Sequence, residues 1–308
     1  MEQIYDVIVL GGGPGGYTAA LYTTRAGLST LVLEKLSIGG QMTQTAQIDN
    51  YPGFEEGIDG FTLGMKMQAG AERFGARTEL TEILSVDLAT DPKLIRTDSG
   101  DYYAKAVIIA TGAEHKHLGL ENEEMLIGRG VGYCAACDGM LYRNKTVCIV
   151  GGGNTAVGDA LLLSRICKKV YLIHRRDSLR AAKISQDALF QAENVELKWN
   201  AVPEQLLFDK KLTAVQIVST ADDRTEVIPC DGLFISIGQA PNTGLFEGQL
   251  DLQDGYVLAD ESTRTSLPGV FAVGDVRTKP VRQVVTAAAD GAVAAHFAEE
   301  YLTEKVTI

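Results

Sequence analysis

Tyr5-Asp6-Val7-Ile8-Val9-Leu10-Gly11-Gly12-Gly13-Pro14-Gly15-Gly16 is a short apolar run, rich in β-branched residues, that ends in a glycine cluster; a helical stretch from Tyr17 to Ala26 follows. This order reads as strand, turn and helix. A second copy begins at Thr146 to Val150, runs into Gly151-Gly152-Gly153-Asn154-Thr155-Ala156 and leads to a helical Val157 to Arg165. The offset is a constant 140 residues: Gly11 corresponds to Gly151, Gly13 to Gly153 and Gly16 to Ala156. Another β-rich run follows each unit, Leu31 to Leu33 in one and Val170 to Ile173 in the other. Two such βαβ beginnings predict an α/β chain with two dinucleotide-binding, Rossmann-like three-layer domains.

Each position in the turn has a mechanical requirement. The first glycine permits the tight turn, the second lets backbone approach a pyrophosphate, and the third must be small so that helix and strand can pack. The helix N-terminus, which Pro14 opens in the first unit, then offers free N–H groups and partial positive charge to phosphates. The two units differ 21 residues beyond the second glycine. Glu34 stands there in the first, a carboxylate suited to a ribose diol. In the second it is His174, followed by Arg175, Arg176 and Arg180, groups suited to a 2′-phosphate. Residues 165 to 183 hold seven Lys or Arg and one acid, in a chain of formal charge -12. One flavin- or NAD-type ADP site and one NADP site are therefore expected.

The length of 308 residues suits about two domains, and 45% hydrophobic residues can supply a core for each. The acidic balance opposes nucleic acid or an anionic membrane as partner. The absence of a long apolar run and the acidic start, Met1 to Asp6, fit neither a membrane span nor a signal peptide, so a cytoplasmic protein is expected. Five cysteines are too few, and odd in number, for a secreted disulfide framework.

Only Cys134 and Cys137 are close together. Their two-residue spacing lets one helical turn bring the sulfurs within disulfide range, and the following Asp138 could give or take a proton as one sulfur cycles. Zinc is the competing reading, but no second pair exists. Cys148 lies inside an apolar strand, Cys167 and Cys230 flank β-rich runs, and none of His115, His117, His174 and His296 stands at a ligand spacing from a cysteine. No metal is expected.

Taken together the residues resemble the bacterial-type, low-molecular-weight thioredoxin reductases, class II of the FAD- and NADPH-dependent pyridine nucleotide-disulfide oxidoreductases. The matching segments are Gly11 to Gly16, Glu34, Gly39-Gly40-Gln41, Asn50 to Gly53, Ala110-Thr111-Gly112, Gly128-Arg129-Gly130, Cys134 to Asp138, Gly151 to Ala156, His174 to Arg176 with Arg180, Gly274-Asp275 and Arg282-Gln283. They run in family order across almost the whole chain. The resemblance implies FAD in a domain formed by residues 1–113 and 245–308, and NADPH in an inserted domain, 114–244, that also carries the cysteine pair. It places Gly274 and Asp275 at the flavin's ribityl and phosphate portion, with Gln283 near the ring. It also implies that Cys137 faces the flavin, Cys134 attacks a thioredoxin or thioredoxin-like protein, and the chain is a homodimer. The nicotinamide site and the cysteine pair would share one domain, yet both must reach one flavin, so the resemblance implies domain rotation. No fused acceptor module precedes the first strand and no second cysteine pair lies near the C-terminus, so a separate acceptor is expected.

The family usually has two acidic residues in the helix after the second glycine turn, where this chain has Gly158-Asp159. That departure bears on nicotinamide positioning. Three other readings compete: a dithiol oxidase on the same scaffold, a ferredoxin-driven reductase, and a redox sensor that binds nucleotide without turnover. The first two would have little use for an intact second turn with its basic window.

Overall fold

The computed structural model describes residues 3–45 and 47–306. It divides into two compact units, one built from the stretch up to Glu114 together with the stretch from Ala240 onward, the other from His115–Gln239. In chain order the second unit is an insertion in the first.

In the first unit the strand Ile4–Leu10 lies between Thr30–Glu34 and Gly100–Ile109, parallel to both. Arg77–Leu80 continues the sheet on one side. On the other, Lys93–Thr97 and Ile83–Asp87 join antiparallel, and Val270–Ala272 pairs parallel with the end of Gly100–Ile109. Alternation along the first strand has the cause expected of a sheet covered on both faces. Ile8 and Leu10 pack into a core with Leu31, Leu33, Ile95, Ile109 and Phe246. Val7 and Val9 pack on the opposite face with Tyr17, Ala20, Ala294 and Ala298, contributed by the helices Pro14–Arg25 and Val284–Val306. These helices meet closely enough that a Cβ at Gly291 would collide with the backbone of Gly15 and Ala19.

The second unit repeats the plan. Thr146–Val150 is flanked in parallel by Lys169–Ile173 and Gly232–Ile235, with Val195–Lys198 and the short Val131–Gly132 at the edges. Val147 and Ile149 face Ala156, Val157, Ala160 and Leu163 of the helix Asn154–Ser164. Cys148 and Val150 face a three-stranded antiparallel sheet, Ala201–Phe208, Leu212–Ser219 and Thr225–Pro229, through Leu206, Val215 and Ile217. In both units the strand order reverses at the strand that feeds the glycine turn, and ligands of open α/β sheets bind at such a switch point. No helix among the described residues is long and apolar enough to cross a membrane.

A buried ion cluster closes the first unit. Asp290 accepts from Arg277 Nε at 2.9 Å and Nη2 at 2.8 Å, from Lys279 Nζ at 2.7 Å and from the Gly274 backbone N–H at 2.8 Å. Burial alone would raise the Asp290 pKa, but the Arg277 and Lys279 hydrogen bonds overcome it and hold the carboxyl below its ordinary value. A depressed folded-state pKa contributes stability above the ordinary carboxylate range that is lost as pH falls through the folded value. Replacing Asp290 with Asn would leave two buried cations short of a counter-charge, a change that costs about 3–5 kcal/mol. Chemical denaturation at pH 7 should show that loss, and the gap to the parent protein should narrow on acidification.

Candidate active site

The first glycine turn is shaped by steric exclusion. Gly11 has φ +111°, and a Cβ there would strike the Ala110 carbonyl; a Cβ at Gly16 would strike the Gly11 carbonyl. Gly13, the N-cap, has nothing within 4 Å of the position a Cβ would take, so backbone there lies open to an incoming group. Pro14 opens the helix, whose start has no side-chain cap. The unused N–H groups and open backbone fit a pyrophosphate. Glu34 Oε2 accepts from the Gly12 N–H at 2.7 Å and Oε1 from the Leu36 N–H at 3.0 Å, which fixes the carboxylate beside the turn. This donor and acceptor set fits the ADP half of a dinucleotide.

Other residues singled out in the sequence gather in the same unit. The Gly39 N–H donates to the Gly12 carbonyl at 2.8 Å, bringing Gly40 against Gly13. The Gln41 side-chain amide donates to the Ala113 carbonyl, and Asn50 Nδ2 donates to Gln283 Oε1 at 3.0 Å. Thr111 Oγ1 donates to the Asn242 carbonyl at 2.8 Å, Asn242 Nδ2 returns a bond to the Thr111 carbonyl at 3.0 Å, and the Gly112 carbonyl accepts from the Asn242 N–H at 3.0 Å. Gly274 and Asp275 follow the strand Val270–Ala272, and burial raises the Asp275 pKa. Arg282 stacks over Tyr256 at 4.1 Å and donates to the Arg277 carbonyl at 3.2 Å. Sequence reasoning missed Asp290, Arg277 and Lys279, which secure the Gly274 turn. Their one signal is an isolated acid in the Ala-rich stretch Val284 to Phe297.

The second turn has the same geometry with different chemistry. Gly151 has φ +151°, and Gly153, the uncapped N-cap of Asn154–Ser164, again has open space where a Cβ would stand. Thr155 is exposed in the first turn of that helix, and Ala156 is buried against the strand. His174 is not a surface partner of the arginines. It is 5% exposed, packs against Gly152 so closely that no Cβ would fit, and its Nε2 lies 3.1 Å from the Ser178 carbonyl. Burial lowers its pKa, so the ring is neutral near pH 7.

Two bonds tie the basic loop to the turn: the Arg180 N–H donates to the Gly152 carbonyl at 2.7 Å, and Asn154 Oδ1 accepts from the Ala182 N–H at 2.8 Å. Asn154 and His174 thus shape the site through the chain's own backbone. Arg175, Arg176 and Arg180 are exposed and in no ion pair among the described residues, whereas Lys169 and Lys198 are paired with Glu196 at 3.0 Å. Three guanidinium groups beside an uncapped helix start fit a phosphate-bearing nucleotide. Gly158 is exposed with empty space around it, and Asp159, whose pKa is raised by burial, accepts from Ser236 Oγ at 2.6 Å.

Cys134 and Cys137 form a disulfide with an S–S distance of 2.07 Å and Cα atoms 5.3 Å apart. Cys134 is the N-cap of the single helical turn Ala135–Asp138, and its sulfur accepts from the Cys137 N–H at 3.1 Å. One turn carries little dipole, so the thiolate stabilisation expected of a long helix is small here. Ala135 is buried, and a Cβ at Gly139 would press on Leu163, which locks the turn against Asn154–Ser164. Asp138 is half-buried and burial raises its pKa, the direction required of a carboxyl that must hold a proton nearer neutral pH. Cys148, Cys167 and Cys230 are buried free thiols. Among the described residues no group of three or more His, Cys, Asp or Glu could hold a metal ion.

Comparison with known proteins gives the family. Residues 5–291 match the family described as pyridine nucleotide-disulphide oxidoreductase. The thioredoxin reductase of Listeria innocua is 48% identical over 306 residues, covering 98% of this chain and 95% of that protein. The thioredoxin reductase of Bacillus subtilis is 42% identical over 305 residues, covering 98% and 96%. The crystal structure of thioredoxin reductase from Streptococcus pyogenes superposes with a TM-score of 0.92 at 39% identity, covering 99% of this chain and all of that one. Two Rossmann-like units, each with an open glycine turn, a redox-capable cysteine pair in the inserted unit, and these full-length similarities establish that the chain belongs to the pyridine nucleotide-disulphide oxidoreductases, among the low-molecular-weight bacterial-type thioredoxin reductases.

Proposed function

We propose that this protein is an NADPH-dependent flavoprotein that reduces the disulfide of thioredoxin or a thioredoxin-like protein. The observation that carries the reading is the Cys134–Cys137 disulfide in the same compact unit as a glycine turn bonded to a loop of exposed arginines, in a chain whose other unit has a glycine turn paired with a carboxylate. FAD is assigned to the unit of Gly11, Gly13, Pro14, Gly16 and Glu34, completed by Gly40, Gln41, Asn50, Thr111, Gly112, Gly274, Asp275, Arg282 and Gln283. NADPH is assigned to Gly151, Gly153, Thr155, Ala156, Arg175, Arg176 and Arg180, with Asn154 and His174 holding the loop that carries the arginines.

When bound, the two cofactors supply the hydride electron pair that opens the disulfide. The chain's own residues do the rest. The bond between Cys134 and Cys137 breaks, two protons enter, and Asp138 holds one of them at its carboxyl. Cys134, as thiolate, attacks the partner's disulfide and displaces one partner sulfur. Cys137 then attacks Cys134, which re-forms the pair and releases the partner as a dithiol. We place the enzyme in the cytoplasm, a reading supported by three further cysteines that remain free thiols, and as a homodimer, which rests on the family resemblance and which sedimentation can test.

Anaerobic mixing of NADPH, the yellow holoprotein and a panel of oxidised thioredoxins tests the assignment: dithiol should accumulate in step with NADPH loss, and no dithiol from any member would reject the substrate. Alanine at both Arg175 and Arg176 removes charge-assisted bonds worth about 1.5–3 kcal/mol each, so kcat/KM for NADPH should fall at least about tenfold while NADH is spared. Equal losses for both nucleotides would show that the arginines do not read a 2′-phosphate. Replacing Asp138 with Asn should lower protein-disulfide turnover about 10²-fold, the lower range for a general acid, without slowing NADPH-driven ferricyanide reduction.

A further inference from the structure

One residue, Tyr133, joins the edge strand Val131–Gly132 to Cys134. The strand is anchored by its pairing with Leu233 and Phe234. Ala135, between the cysteines, and Gly139, beyond them, hold the helical turn by apolar packing. Directional polar bonds appear on the Cys134 side, at the tip of Tyr133. Its hydroxyl donates to Glu123 Oε1 at 2.7 Å and lies 2.8 Å from His117 Nδ1, while the His115 ring stacks on its ring at 4.9 Å.

Glu123 is a rigid anchor. It is 2% exposed, and its carboxylate also accepts from the backbone N–H groups of Leu118, Gly119 and Leu120 at 2.9–3.2 Å. Three N–H donors keep that carboxylate satisfied whether or not the phenol is present, so the Tyr133 hydroxyl is not required to keep Glu123 buried. What the bond does is fix Tyr133, and through one peptide link the N-cap backbone of Cys134. Burial and the Glu123 bond push the phenol pKa up, so the hydroxyl remains a donor throughout the working pH range.

We propose that Tyr133 is a positioning residue for Cys134: the Glu123–Tyr133–His117 clamp holds the Cys134 backbone where its sulfur meets that of Cys137. Closing a dithiol depends on how often the two sulfurs are already in place, an effective concentration that loosened backbone lowers. The clamp therefore favours the disulfide over the dithiol and speeds re-closure after each exchange. The proposal rests on the reading of Cys134–Cys137 as a redox pair, but not on the identity of the nucleotide or the partner.

The test equilibrates the intact holoprotein with mixtures of reduced and oxidised dithiothreitol. That reaction transfers two electrons and two protons from the reagent's dithiol to the protein disulfide. Mass-tag alkylation counts the thiols formed at Cys134 and Cys137, with neither NADPH nor thioredoxin present. Tyr133→Phe should shift the equilibrium three- to tenfold toward the dithiol, about 14–30 mV for a two-electron couple. His117→Ala removes an exposed ring and one of the two contacts to the same oxygen, so it should shift the equilibrium in the same direction by less; it serves alone if Tyr133→Phe does not fold. Tyr142 ends the short helix Gly139–Tyr142 on the Cys137 side and packs its ring edge-on to Phe234 at 5.3 Å, so Tyr142→Phe should leave the equilibrium unchanged. Wild-type equilibrium in both clamp variants, or an equal shift in Tyr142→Phe, would overturn the proposal. A wild-type pair that does not cycle at all would overturn the redox reading and the proposal together.

Discussion

Both units are organised by one backbone constraint. A strand buried on both faces must turn at once into a helix whose first N–H groups have no partner within the helix. The turn is possible because Gly11 and Gly151 adopt positive φ where a side chain would strike the carbonyl just past the end of the neighbouring strand, and because Gly13 and Gly153 leave the approach to the helix open. The constraint creates the ligand site and the core together. The apolar alternation that buries Val7, Ile8, Val9 and Leu10 brings the same strand to the switch point of its sheet.

What differs between the units is the polarity of the next strand's end. Glu34 is fixed by two backbone donors and presents carboxylate oxygen. In the second unit His174 turns inward against Gly152, and the charge passes to three exposed arginines on a loop bonded to the turn. A carboxylate and a guanidinium cluster suit opposite groups at the same place on a nucleotide.

The redox pair depends on a different kind of support. Its helical turn is too short to be stabilised by its own hydrogen bonds, and it is held by apolar contacts behind and the Tyr133 clamp in front. The Asp138 carboxyl shares that setting, where burial raises its pKa. A short, externally supported turn suits sulfurs that must part and rejoin in every cycle.

Much of this protein was legible from residue order. Repeated strand-glycine-helix units, a carboxylate against arginines 21 residues on, and one vicinal cysteine pair depend on local backbone rules and short spacing, which a linear chain displays directly. Asp290, 16 residues beyond Gly274, and the Glu123–Tyr133–His117 cluster were not legible, nor was the inward turn of His174. Their roles arise from contacts between elements whose register is set only when the sheets and helices pack. Composition and local pattern determined which chemistry the chain carries; tertiary packing decided which polar groups became buried supports, because a side chain's partners and hydration are fixed only when distant segments exclude water together.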